Sequence, residues 1–197
     1  SLIFPNSVSI WPKSPCTPMR CHSLSINGVI GLGARPPEGM EDRDLTDAGG
    51  GFVTAVPGAA AIDSAMSFGL IRGGHIDMTV LGGLEVDSAG RLANWMIPGK
   101  LVPGMGGAMD LATGAKRVIV AMTHTNNGRP KIVDECSLPL TSQRPVDLIV
   151  TELAVIRVTD RGLELLETAP DVSVEDIIEL TEAKLFVSPE LTQMSWA

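Results

Sequence analysis

The spacing of hydrophobic residues predicts five strand segments along the chain. Alternation on one face, as at Ile76, Met78 and Val80, is typical of a half-buried strand, and a continuous apolar run is typical of a strand buried on both faces. The predicted segments are FVTAVPG (52–58), HIDMTVLGG (75–83), RVIVAM (117–122), DLIVTELAVIRVT (147–159) and GLELLETA (162–169). The last two are close enough in sequence to pair with each other.

Three helices are predicted between these strands. Asp63 can cap a helix over SAMSFGLIR (64–72) that stops at Gly73-Gly74, and GGAMDLATGAK (106–116) opens on glycines and indicates a short helix. Ser173 and Asp176 form a capping-box variant at the start of SVEDIIELTEAK (173–184). Strands that alternate with helices predict an α/β fold with a mainly parallel central sheet flanked by helices.

Composition narrows the class of protein and of partner. A chain of 197 residues with 44% hydrophobic residues is expected to form one domain with a real core. The net charge of −8 argues against nucleic acid and anionic membranes as partners. No apolar run reaches the roughly 18 residues of a membrane helix. Three cysteines without a CxxC motif favour a reduced, cytoplasmic protein, and three scattered histidines predict no metal site.

Two glycine clusters are candidate edges of a ligand site. Ile26, Asn27 and Gly28 begin the first, INGVIGLG, and the second, PGMGGAMDL (103–111), leads into a predicted helix. Glycines let a ligand approach the backbone, and unpaired amides at a helix start can bind an oxyanion or phosphate. A tight turn before a helix is the alternative explanation of the second cluster.

Four other polar positions could contribute to a site. Lys100, in ANWMIPGK with Asn94 and Trp95, could meet an anionic ligand or be a solvated loop lysine. His124 could be an acid or base, or a hydrogen-bonded structural residue. Glu85 and Asp87 follow a predicted buried strand, which is a usual place for site residues in open α/β sheets, but they could equally cap the strand end.

From Asn27 to about Val187 the sequence closely resembles the B-type subunit of the family I CoA-transferases. The motifs that carry the resemblance occur in the family's order and close to its spacing. They are NGVIGLG, DAGGG, VPGAAAIDSAMSFGLIRGGHID, LANWMIPGKLVPGMGGAMDLATGAKRVIVAMTHT and CSLPLT. Residues 27–197 would therefore form the CoA-transferase domain, and residues 1–26 a divergent N-terminal segment. The stretch NWMIPGKLVPGMGG resembles the branch of the family that acts on acetoacetate and other short 3-oxoacids, more than the 3-oxoadipate branch.

The resemblance implies ping-pong transfer of CoA from an acyl-CoA, such as succinyl-CoA or acetyl-CoA, to a short 3-oxoacid through an enzyme glutamyl-CoA thioester. It implies an oxyanion-binding amide at Gly107, with Gly106 beside it, and substrate contacts from Asn27, Gly28, Gly106, Lys100 and Glu85. It also implies a partner, the A-type subunit of the family, in an A2B2-type heterotetramer. No cofactor is expected beyond CoA, which is a substrate.

One residue departs from the family at the most important position. The family has Ser-Glu-Asn-Gly where this chain has Ser25-Ile26-Asn27-Gly28, so that Ile26 stands in the place of the nucleophilic glutamate. Three interpretations stay open. The residues written up to Ile26 could come from a shifted reading frame or from residues assigned without the gene, as the absence of any acidic residue before Glu38 and the abrupt onset of family agreement at Asn27 indicate. The protein itself would then have glutamate at position 26 and be active. The chain could instead be a non-catalytic subunit that binds the A-type subunit or CoA, or an enzyme with another nucleophile.

Overall fold

A computed structural model describes residues 23–26, 28–47, 50–99 and 106–195. The strands are β1 (Val29–Leu32), β2 (Ala55–Ala61), β3 (Met78–Gly82), β4 (Glu85–Asp87), β5 (Leu92–Ala93), β6 (Arg117–Ala121), β7 (Thr125–Asn126), β8 (Arg129–Pro130), β9 (Ile132–Val133), β10 (Leu148–Val150), β11 (Ala154–Thr159), β12 (Gly162–Thr168) and β13 (Leu185–Gln193). The helices are α1 (Ser64–Arg72), α2 (Ala108–Gly114) and α3 (Val174–Glu179).

A six-stranded sheet in the order β13-β12-β11-β10-β6-β3 is the centre of the larger part of the chain. Its β3–β6, β6–β10 and β12–β13 pairs are parallel, and β10–β11 and β11–β12 are antiparallel. Two smaller sheets, β5-β4-β9 and β7-β8, lie in the same part of the chain. The predicted α/β class with a mainly parallel central sheet is confirmed.

The chain divides into two compact units, Ser1–Ala61 and Ile62–Ala197. The first contains the antiparallel pair β1–β2, and the second contains the central sheet and the three helices. The predicted change of sequence character after residue 26 lies within the first unit, and it stays a prediction.

The core of the second unit is the apolar face of the central sheet. Val118, Val120 and Ile149 on the central strands are at most 1% exposed, and Ala112 of α2 and Ile177 of α3 belong to the same cluster. Val118, Ile119 and Val120 are all buried, which confirms the prediction of a strand buried on both faces. Burial of each such aliphatic side chain contributes about 1.5–3 kcal/mol to folding.

Local sequence signals set the helix ends as predicted for α1 and for the start of α3. The Asp63 carboxylate accepts a hydrogen bond from the Met66 amide, and Gly73 is the C-cap of α1. Ser173 and Asp176 form the capping box of α3. That helix is shorter than the predicted 173–184, because the amides of Glu182 and Ala183 donate to the Ile132 carbonyl in β9 instead of continuing the helix.

Three strands differ from the predicted pattern. The predicted strand 52–58 is observed as Ala55–Ala61, paired with β1. Strand β3 forms as predicted, but the prediction of its buried face is wrong: Met78 and Val80 are 41% and 46% exposed, whereas Thr79 and Leu81 are buried. Strand β3 is an edge strand of the central sheet, and it is its Leu81 face that packs on the core cluster. Strand β13 was not predicted, because only Ser188 along it is buried and Pro189 interrupts it. Both features fit an edge strand.

Within the described ranges, no helix has the length and the apolar character that crossing a membrane requires.

The contact between α1 and α2 gives a direct test of the packing. A Cβ added at Gly114 would lie 2.3 Å from the carbonyl oxygen of Ile71, whereas one added at Gly69 would meet nothing within 4 Å. We expect Gly114→Ala to lower the free energy of unfolding by about 1–3 kcal/mol through overpacking. Gly69→Ala, in the interior of α1, should raise it by about 0.4–1 kcal/mol. Urea denaturation of both variants measures this, and equal stabilities would contradict the packing.

Candidate functional site

Ile26 lies at the tip of a tight turn in the first unit. The Gly28 amide donates to the Ser25 carbonyl (2.9 Å), and the Ser25 amide donates to the Val29 carbonyl (2.8 Å). Leu24 and Ile30 pair across this turn, Ile26 is half-buried, and Gly28 has a φ of +100° that glycine adopts without strain. Asn27 lies outside the described residues. The hydrogen bonds of the turn therefore fix the position of the backbone at residue 26 within the first unit.

The next glycines of this cluster serve packing between strands. A Cβ at Gly31 would lie 3.0 Å from a methyl carbon of Val56, and one at Gly33 would lie 2.3 Å from the Thr54 hydroxyl. Gly31 also has a φ of +86°. These glycines let β1 approach the chain at and before β2, so that their presence is explained without a ligand.

Gly106 and Gly107 directly precede the helix α2. Gly106 is exposed and has a φ of +52°, and Gly107 is buried and is the N-cap, with no side chain bonded to the helix start. The Gly107 carbonyl accepts the Leu111 amide at 2.9 Å. The oxyanion role of Gly107 stays a prediction from the resemblance. Lys100 lies outside the described residues.

The Glu85 carboxylate is engaged by the protein itself. It accepts hydrogen bonds from the Ser137 amide (2.8 Å), the Ser137 hydroxyl (2.8 Å) and the Leu138 amide (3.1 Å). These donors occupy both carboxylate oxygens. The predicted substrate contact of Glu85 is untested, but the geometry favours anchoring of the loop that follows Cys136.

Asn94 and Trp95 hold the same loop a few residues further on. The Asn94 amide donates to the Thr141 hydroxyl (3.0 Å), which in turn donates to the Asn94 side-chain oxygen (2.6 Å). The Asn94 side-chain nitrogen donates to the Gly82 carbonyl at the end of β3, and the Trp95 indole donates to the Leu140 carbonyl. The structure thus brings together Glu85, Asn94 and Trp95 around one loop.

Asp87 is fully buried and stabilises a turn. Its carboxylate accepts the backbone amides of Ala89 and Arg91 and the Arg91 guanidinium at 2.8 Å. Of the two possibilities for Asp87, the structure supports the strand-end cap.

His124 is fully buried, and both of its ring nitrogens are bonded to hydroxyls. Nδ1 lies 2.9 Å from the Thr151 hydroxyl and Nε2 lies 2.9 Å from the Thr181 hydroxyl. Both hydroxyls also donate to backbone carbonyls, Thr181 to Ile177 and Thr151 to Ala154. A neutral imidazole donates from one of its ring nitrogens and accepts at the other, so that both nitrogens of His124 have a partner in either tautomer. The Glu152 carboxylate accepts the His124 amide. Of the two alternatives for His124, the structure supports the hydrogen-bonded structural residue.

A cavity of about 380 Å³ opens elsewhere in the second unit. It is lined by Ser88, Pro145, Asp147, Thr159 and Asp160, among others. Asp147 directly precedes β10, so that this cavity lies at the amino end of that strand, whereas open α/β sheets bind ligands at the carboxyl ends. In the part of the chain that the structure describes, no group of three or more His, Cys, Asp and Glu could hold a metal ion.

Sequence patterns indicate Glu85, Asn94 and Trp95 as candidates but not their partners Ser137 and Thr141. Both partners lie in CSLPLT, which is one of the motifs that carry the family resemblance. Ile26 and Gly28 belong to the first unit, and Glu85, Gly106 and Gly107 belong to the second.

Comparison with known proteins identifies related chains. The family model described as "Coenzyme A transferase" matches residues 17–180. The B-type subunit of a probable succinyl-CoA:3-ketoacid coenzyme A transferase of Bacillus subtilis is 52% identical over 165 residues, 83% of this chain and 76% of that protein. The beta-type subunit of an acetate CoA-transferase of Escherichia coli is 51% identical over 168 residues, 85% of this chain and 76% of that protein.

A solved structure has the same fold. The apoenzyme of the acyl-CoA transferase YdiF from Escherichia coli O157:H7 superposes with a TM-score of 0.67 at 27% identity. The superposition covers 86% of this chain, which spans about a third (34%) of the length of that protein.

The burial of His124 predicts a pH dependence of stability. Burial lowers the pKa of His124 below its ordinary 6.5, against the opposing charge of Glu152. The folded protein therefore takes up this proton less readily than the unfolded chain. The free energy of unfolding should fall as the pH drops through 6.5 towards the lowered pKa, by at most about 1.4 kcal/mol per pH unit.

Urea denaturation between pH 7 and pH 5 measures this effect. His124→Asn should lose this part of the slope, and His75→Asn, at an exposed position, is the matched control. A slope that His124→Asn leaves unchanged would contradict the assignment.

Cys136 is predicted to be a poor nucleophile. Burial, followed by the charges of Asp87 and Glu85, raises the pKa of its thiol to about 12, from an ordinary 9.0. Because only the thiolate is alkylated, iodoacetamide at pH 8 should label the peptide containing Cys136 at least about a hundredfold more slowly in the folded protein than in denaturant. Peptide mass mapping follows this, and equal rates in both states would refute it.

Proposed function

Because the chain belongs to the coenzyme A transferase family, we propose that it is the B-type subunit of a 3-oxoacid CoA-transferase. It would move CoA from an acyl-CoA, such as succinyl-CoA or acetyl-CoA, to a short 3-oxoacid such as acetoacetate. The observation that carries the proposal is the family match over residues 17–180, together with 52% identity to a relative named for this activity.

The chemistry needs an anionic oxygen and a donor for the oxyanion. In the first step an enzyme carboxylate attacks the thioester carbonyl, the C–S bond breaks, and CoA leaves as a thiolate from a mixed anhydride. The thiolate then attacks the enzyme-derived carbonyl, which releases the first acid and leaves an enzyme–CoA thioester. The 3-oxoacid carboxylate reverses these steps and leaves as its CoA thioester. Each step passes through a tetrahedral oxyanion, and we assign its stabilisation to the Gly107 amide.

The substrate contacts of the proposal come from residues around the two glycine clusters. Asn27 and Gly28 would lie beside the acyl group, and Gly106 and Lys100 would meet the CoA or acid portion. CoA is a substrate here, and no other cofactor is part of the proposal. The relatives are named as B or beta subunits, which supports a second, A-type subunit as the partner. We propose an A2B2-type assembly in the cytoplasm.

The residue at position 26 decides whether this chain can supply the nucleophile of the reaction. Isoleucine has no lone pair and no ionisable group, so that the chain with Ile26 cannot form the anhydride there. The second candidate function follows from this observation: a non-catalytic B-type subunit that binds CoA or the A-type subunit. Cys136 does not supply a substitute, because its raised pKa keeps the thiol protonated.

Three chains tested with an A-type subunit of this family separate the candidates. We expect the Ile26 chain and Ile26→Gln, which matches glutamate in size but has no anionic oxygen, to give no transfer from succinyl-CoA to acetoacetate. Ile26→Glu should give transfer, and hydroxylamine should inactivate it only after exposure to acyl-CoA. Turnover by the Ile26 chain at the rate of Ile26→Glu would refute the nucleophile assignment. An inactive Ile26→Glu chain that still binds CoA and the A-type subunit would favour the second candidate.

A further inference from the structure

The loop Ser137–Arg144 contacts the chain on both sides of the segment that ends in Gly106 and Gly107. On the upstream side, Thr141 exchanges two hydrogen bonds with Asn94, and its own amide donates to the Leu92 carbonyl at 2.7 Å. The Leu140 carbonyl accepts the Trp95 indole at 3.2 Å. Thr141 is 3% exposed, so that water competes little for these bonds.

On the downstream side, Arg144 caps the carboxyl end of α2. Its guanidinium donates to the carbonyls of Thr113 (3.2 Å), Ala115 and Lys116 (2.9 Å). The last carbonyls of a helix have no partner within it, and a cation placed there also interacts favourably with the helix dipole. One side chain from this loop thus fixes the end of a helix only seven residues long.

The loop is itself fastened to the sheets at both of its ends. Glu85 at the start of β4 accepts the donors of Ser137 and Leu138. Just beyond the loop, the Asp147 carboxylate accepts the Val118 amide of β6 at 2.7 Å, and the Asp147 amide donates to the Val118 carbonyl at 2.8 Å. The loop can therefore transmit the position of the sheet to the groups that it touches.

We propose that the loop Ser137–Arg144 is a brace that positions Gly107, with Thr141 and Arg144 as its positioning residues. The inference rests on the oxyanion role given to Gly107 in the proposed function. Because α2 is short and Gly107 is its N-cap, a shift at the carboxyl end of the helix, where Arg144 binds, moves the Gly107 amide. A displacement of about 1 Å at a reacting centre is enough to cost a large factor in rate.

Hydrogen exchange of the Leu111 amide tests the brace in the chain alone. This amide donates to the Gly107 carbonyl, so that its protection reports on the start of α2. We expect Thr141→Val and Arg144→Met each to speed its exchange by about tenfold. Thr141→Ser, which keeps the hydroxyl, should restore protection. Thr159→Val removes a similar hydroxyl bond, to the Gly162 carbonyl, and should change nothing at Leu111.

The effect on the reaction is measured in the Ile26→Glu background, in complex with the A-type subunit. Thr141→Val and Arg144→Met should lower kcat by about tenfold and leave the KM for succinyl-CoA unchanged, because a displaced oxyanion donor weakens transition-state binding alone. Thr141→Ser and Thr159→Val should keep the parent kcat. Arg144→Lys, which keeps the charge but loses the forked donors, should fall between them.

The outcomes separate this proposal from the proposed function. Unchanged Leu111 exchange in both Thr141→Val and Arg144→Met overturns the brace, as does an unchanged kcat in an active complex. An inactive Ile26→Glu parent, combined with faster Leu111 exchange in the variants, supports the brace as a support of α2 and instead counts against the proposed function. If Thr141→Val does not fold, Arg144→Met and Arg144→Lys carry the same test from the downstream side.

Discussion

The parallel pairing of β3, β6 and β10 is the constraint on which the rest of the second unit depends. Val118 and Val120 on β6 and Ile149 on β10 are almost completely excluded from water, and they hold the three strands in one register. That register brings the carboxyl ends of the strands to one edge, where the Gly82 carbonyl accepts the Asn94 side chain. The polar contacts of Glu85, Asn94 and His124 are built on this edge, and without the buried sheet none of them would have a fixed partner.

The polar side chains at this edge mainly hold loops in place, and their polar atoms are bonded to the protein. Glu85, Asp87 and His124 were each candidates for chemistry, and each forms hydrogen bonds with other groups of the protein in the structure. Buried polar groups without partners are costly, so that a loop-rich edge needs such side chains for its own order. A reaction that uses one carboxylate and backbone amides needs no other polar side chain for its chemistry. The remaining polar residues can therefore hold the loops of the site in position.

Much of the fold could be predicted from the sequence, because its signals are local. The Asp63 cap, the Ser173–Asp176 capping box and the apolar run at 117–122 each specify their element through neighbours a few residues away. The extent of α3 and the strand β13 could not be predicted in this way. The first depends on a carbonyl of β9 some fifty residues earlier, and the second on pairing with β12 at a largely exposed edge.

In the candidate site, too, contacts between residues that are distant in sequence could not be predicted. The roles of position 26 and of the glycines at 106 and 107 were predicted from motifs shared with a family, not from the periodicity of the sequence. The anchoring of Ser137, Thr141 and Arg144 needs contacts between residues roughly thirty to fifty positions apart, which no local pattern contains. At Gly31 and Gly33 the sequence pattern indicates a ligand site, but the structure explains both glycines by packing. Their spacing resembles that of a ligand-binding loop, but in the structure the space beside them is filled by Val56, Ala59 and Thr54.

We propose that CoA transfer by this chain requires a carboxylate at position 26, and mapping the residue that becomes covalently attached to CoA tests this requirement. The Ile26→Glu chain, in complex with the A-type subunit, would be incubated with succinyl-CoA, digested and mapped by tandem mass spectrometry, with the Ile26 chain treated in parallel. We expect a CoA thioester on the residue at position 26 of the Ile26→Glu chain and no adduct on the Ile26 chain. An adduct on any other residue of this chain, or an equal yield from the Ile26 chain, would contradict it.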